Sequence, residues 1–86
     1  MEKEFYITNE QGVHARPATL LVGRANHYKC DINITFEGNT VDLKSIMGVL
    51  SLGISQGSTI VIETVGVDEE EAMNGLTKMI NELNNQ

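Results

Sequence analysis

The spacing of apolar residues along this chain switches repeatedly between a period of two and a period near 3.6, and few folds accommodate the order in which it does so. Phe5 and Ile7 alternate with Glu4, Tyr6 and Thr8, as in a strand with one buried face. From Ala15 to about Tyr28 the period lengthens. Ala18, Leu21, Val22, Ala25 and Tyr28 then fall on one face of a helix. Ile32, Ile34 and Phe36 alternate again, as do Val41 and Leu43, and Glu37-Gly38-Asn39 between them reads as the tight turn of a β-hairpin. Ser45 to about Leu52 predicts a short helix closed by Gly53, and Ile60 to Val65 a last strand bounded by Gly57 and Gly66. Ala72, Leu76, Met79, Ile80 and Leu83 stripe a final helix, which Asp68 and Glu71 would open as a capping box. Gly75 inside that helix points to close packing there.

The order β-α-β-β-α-β-α predicts an α+β fold. It is an open-faced β-sandwich in which a four-stranded antiparallel sheet carries three helices on one face. With 86 residues, a single domain over 1–86 is expected. Acidic residues outnumber basic ones twelve to six, and the six are scattered, so no basic stripe exists to bind nucleic acid. The net charge of −6 also argues against docking on an anionic membrane. Partners are expected to be proteins. No apolar run is long enough to span a bilayer, and Met1-Glu2-Lys3-Glu4-Phe5 lacks the features of a signal peptide. The lone Cys30 can form no internal disulfide. A cytoplasmic location is the expectation.

The stretch that bears on chemistry is Gly12-Val13-His14-Ala15-Arg16-Pro17-Ala18. Proline belongs in the first turn of a helix, so Pro17 sets the start at Ala15 or Arg16 and puts His14 at or just before the N-cap. First-turn N–H groups lack partners within the helix and lie at the positive end of its dipole, which makes this a site for an anion. A phosphoryl group on a His14 ring nitrogen would sit over those donors, with Arg16 adding a charge-assisted hydrogen bond. A plain surface histidine beside a helix-starting proline fits the same residues. Against that, histidine is a poorer N-cap than Ser, Thr, Asp or Asn. On chemistry alone both readings stand. His14, His27 and Cys30 form no zinc pattern, and no cofactor is expected. His27 is read as a solvated residue near a helix end, Cys30 as a bystander thiol, and Asp68-Glu69-Glu70-Glu71 as a solvated helix start.

The segment from Gly12 to Ala18 resembles the phosphorylation motif of HPr, the histidine-containing phosphocarrier of the phosphoenolpyruvate-dependent sugar phosphotransferase system. Leu43-Lys44-Ser45-Ile46-Met47-Gly48-Val49-Leu50-Ser51-Leu52 resembles the regulatory serine region of HPr from low-GC Gram-positive bacteria. The resemblance covers the whole chain. It implies that His14 accepts a phosphoryl group on Nδ1 from enzyme I and passes it to IIA domains of sugar permeases. Arg16 would stabilise the group, N–H groups near Ala15 and Arg16 would cradle its oxygens, and Pro17 would hold the helix start. The chain would be a carrier rather than a turnover enzyme, and a monomer. Ser45, an ordinary N-cap on composition, would be modified by the HPr kinase/phosphorylase and then recognised by a catabolite-control repressor. Thr19, Leu20, Ile46, Met47 and Leu50 are the expected docking residues. Leu20 should face solvent and the last three should lie on the outer side of the short helix. Gly23 and the Glu37-Gly38 turn depart from what relatives commonly carry. A regulatory-only relative and a carrier of the nitrogen-related branch are the rival readings; His14 argues against the first and the Ser45 region against the second.

Overall fold

The structure is a computed structural model that describes residues 1–86. Its elements are β1 (Glu2–Tyr6), α1 (Ala15–Ala25), β2 (Asp31–Phe36), β3 (Asn39–Asp42), α2 (Ile46–Ser51), β4 (Thr59–Val65) and α3 (Glu69–Asn84). The strands form one antiparallel sheet in the order β1-β4-β2-β3. Registers such as Phe5 opposite Ile60 and Ile34 opposite both Ile62 and Val41 put the apolar members of each strand on one face. There they meet Ala18, Leu21, Val49, Leu76 and Ile80 from the helices in a single core. The other face carries Glu2 opposite Glu63, with Asn33 between Glu63 and Asp42, and is open to solvent. This is the open-faced sandwich that the periodicities predict. No helix is long and apolar enough to cross a membrane.

The structure departs from the sequence reading in four places. The first helix ends at Ala25 rather than near Tyr28. There Asn26 takes over: its backbone N–H and its Nδ2 both donate to the Val22 carbonyl, and Nδ2 also reaches the Lys44 carbonyl. Tyr28, outside the helix, is half-buried, and its hydroxyl lies where a Cβ on Gly75 would be. The close packing expected at Gly75 is therefore its contact with Tyr28. Second, Leu20 is half-buried against the core instead of facing solvent, because α1 packs on α2 and α3 as well as on the sheet.

Third, Asp68 occupies the N-cap of α3 but makes no capping hydrogen bond. Its carboxylate accepts instead from the N–H groups of Lys29 and Cys30, at 2.8 and 2.9 Å, and so ties the start of α3 to the start of β2. The Lys29 N–H is the main reason its carboxyl is held below the ordinary range. Fourth, the acidic run is not wholly solvated. Glu69 accepts from the Gly66 N–H and pairs with the terminal ammonium of Met1, and these contacts lower its carboxyl in turn. Cys30 is buried, and desolvation followed by its Asp68 neighbour pushes the thiol up to about 11.

Candidate functional site

His14 is the N-cap of α1, in extended conformation with φ −128° and ψ 163°. Its imidazole is half-buried and makes no capping hydrogen bond, so the ring is left free. Directly after it the chain turns sharply. Ala15 has φ 49°, in the left-handed region that costs an L-residue about 1–2 kcal/mol. Pro17 is buried and needs no acceptor, and the Ala18 N–H reaches the His14 carbonyl only at 3.5 Å. The N–H groups of Ala15 and Arg16 have no acceptor, since first-turn positions lack one within the helix and nothing else supplies it. Free imidazole and free first-turn N–H groups thus lie within one turn of chain.

Arg16 is exposed, and its Nη1 donates to Gln86 Oε1 at 3.1 Å. The two side chains border a polar hollow shared with Thr8 and Gln56. Thr19 is exposed and its hydroxyl donates to the Ala15 carbonyl at 3.1 Å. On α2, Ser45 is the N-cap as expected: its Oγ accepts from the Gly48 N–H at 3.1 Å. Met47 is 73% exposed, and Ile46 and Leu50 are each 37% exposed, on a helix that packs against α1. Val49 is buried and Leu52 half-buried, so the short helix presents the sides that its spacing predicts.

Several residues that shape the site escape sequence reasoning. Gly12, at φ 59°, presses so closely on the Ile54 carbonyl and Ser55 that a Cβ has no room. The Val13 N–H donates to that same Ile54 carbonyl at 2.9 Å. Asn9 is buried and its Nδ2 donates to the Gly12 carbonyl at 2.8 Å. Gln56 Nε2 donates to the Thr8 carbonyl, and Asn84 contacts Tyr6, Thr8 and Asn9. Asn9 had a local signal, lying just before a glycine turn; Asn84 had none.

The PTS-HPr family, described as the PTS HPr component phosphorylation site, matches residues 1–82. The chain belongs to the HPr family. Among solved structures, HPr from Thermoanaerobacter tengcongensis is 38% identical, with a TM-score of 0.96 over 100% of this chain and 97% of that one. Phosphocarrier protein HPr from Bacillus anthracis is 44% identical, with a TM-score of 0.89 over 93% and 95%. Crh, the catabolite repression HPr of Bacillus subtilis, was solved as a swapped dimer. It is 35% identical, with a TM-score of 0.76 over 93% and 92%. Membership makes this chain a phosphotransfer component of the phosphotransferase system, and its partners proteins of that system.

Proposed function

We propose that His14 is the residue that carries the phosphoryl group, accepting it from phospho-enzyme I and giving it to IIA domains of sugar permeases. The observation that carries this reading is the free imidazole at the N-cap of α1, beside two N–H groups that have no acceptor. Neutral imidazole is the nucleophilic form. A ring nitrogen, Nδ1 by family resemblance, attacks phosphorus as the bond to the donor breaks, and the reverse step releases the group to the next acceptor. The open N–H groups of Ala15 and Arg16 take up negative charge on the equatorial oxygens. The Arg16 guanidinium, on leaving Gln86, adds a charge-assisted bond. Each protein partner completes the site in trans, so the chain works as a carrier and not as a turnover enzyme, without metal or cofactor.

In the same reading Ser45 is a regulatory site for the HPr kinase/phosphorylase. Its phosphate would add nearly two negative charges beside Ile46, Met47 and Leu50. With Thr19 these form the surface on which enzyme I and IIA domains dock, and a catabolite-control repressor would read the charged form. In this reading the protein acts as a monomer in the cytoplasm.

A relay assay tests the proposal. The phosphorylated protein, freed of enzyme I and mixed with a IIA domain, should lose its phosphate as the IIA domain gains it. His14→Ala should relay nothing while keeping its circular dichroism spectrum. Relay by that variant would refute the assignment.

A further inference from the structure

We infer that Asn9 and Asn84 are positioning residues for phosphoryl transfer, holding the loop that presents His14 although neither touches the ring; this rests on His14 being the acceptor. The segment from Thr8 to Val13 has no regular structure to fix it. It runs through Gly12 at φ 59° and leads into Ala15 at φ 49°. For alanine that region is sparsely populated, and it persists only where surrounding contacts impose it.

Those contacts come from the far end of the chain. Asn84 is the last residue of α3, and its side-chain amide is turned onto this loop. Its Oδ1 accepts from the Thr8 N–H at 2.9 Å and from the Asn9 N–H at 3.4 Å. Its Nδ2 donates to the Tyr6 carbonyl at 2.9 Å, and its own carbonyl accepts from the Thr8 hydroxyl at 3.3 Å. Asn9 carries the constraint forward. Its buried Nδ2 donates to the Gly12 carbonyl at 2.8 Å, and the Gly12 N–H returns a bond to the Asn9 carbonyl at 3.1 Å. From Gly12 only Val13 separates the clamp from His14. Both residues use a carboxamide as donor, and Asn84 uses it as acceptor too, so neither an apolar side chain nor a carboxylate reproduces the set.

An in-line transfer requires the attacking nitrogen to be fixed before the partner arrives, and a misplacement of about 1 Å costs on the order of 100-fold in rate. The clamp borders the polar hollow beside Arg16 and draws on neither α1 nor α2, whose residues form the proposed docking surface. It therefore acts on the chemical step and not on partner affinity.

The test measures kcat and KM for phosphorylation by enzyme I in wild type, Asn9→Ala, Asn84→Ala, Asn84→Asp and the double alanine variant, well below each melting temperature. For the alanine variants kcat should fall roughly 10- to 100-fold with KM unchanged. Asn84→Asp, which keeps the acceptor and loses the donor, should fall between wild type and Asn84→Ala. The double variant should fall no further than the worse single one, because the two residues form one chain of contacts. Asn81→Ala, exposed on the same helix, should match wild type. Unchanged kcat in both alanine variants, with lowered melting temperatures, would reduce the clamp to a structural role and overturn the inference. Failure of wild type to be labelled at all would sink the His14 reading, and the clamp would then have nothing to position.

Discussion

At the residue scale, the two helix starts in this molecule make opposite uses of the same position. Ser45 caps α2 by accepting from the Gly48 N–H, while His14 caps nothing at the start of α1. Replacing an oxygen-bearing N-cap with alanine costs about 1 kcal/mol, so Ser45→Ala should lower stability by about that much in urea unfolding. Ser45→Asp keeps an acceptor at the cap and should leave the melting temperature nearly unchanged, yet slow transfer from enzyme I. An unchanged transfer rate would count against a docking surface shared by Ile46, Met47 and Leu50. At α1 the missing cap and the left-handed Ala15 are the local cost of leaving an imidazole and two N–H groups free. Alanine has no preference for positive φ, and for that reason nothing in the sequence announced the sharp turn after His14.

At the scale of elements, the β2–β3 hairpin is where local preference and structure disagree most. Phe36 pairs with Asn39, so the loop is the two residues Glu37 and Gly38, at φ 49° and 80°. Both are positive, as a type I′ turn requires, and asparagine tolerates the first position far better than glutamate. Glu37→Asn should raise stability by about 0.5–1 kcal/mol in urea unfolding; no gain would mean that glutamate bears no strain there. The hairpin itself was legible, since two alternating runs flank a Gly-containing turn. Elements with a long, strict period were legible too. What escaped were side chains serving a neighbouring element: Asp68 sits where a capping box belongs, yet binds Lys29 and Cys30. Asn26 likewise ends α1 three residues early with a side chain that its spacing does not reveal.

At the scale of the whole molecule, the sheet and the three helices are held in register by contacts between distant segments. Asp68 joins α3 to β2, and Asn84 joins the other end of α3 to the His14 loop. Pairs separated by some 38 and 76 positions leave no periodic trace in a single sequence, which explains why His14 and Ser45 could be read as helix starts while the contacts around them could not. The Asp68 contact also sets a pH dependence. Its carboxyl in the folded protein lies below its ordinary value, so the stability it contributes is present above about pH 4, where the unfolded carboxyl ionises. That contribution is lost as pH falls through the folded value. Asp68→Asn should therefore be less stable at neutral pH, and the gap to wild type should narrow as urea midpoints are followed below about pH 4. A gap constant with pH would show that the charge plays no part. That His14 carries the phosphoryl group is tested most directly by intact mass after incubation with enzyme I and phosphoenolpyruvate, before and after mild acid. A single added phosphate that acid removes and that His14→Ala never acquires is the expected outcome. A phosphate that survives acid, or one that appears on His14→Ala, would contradict it.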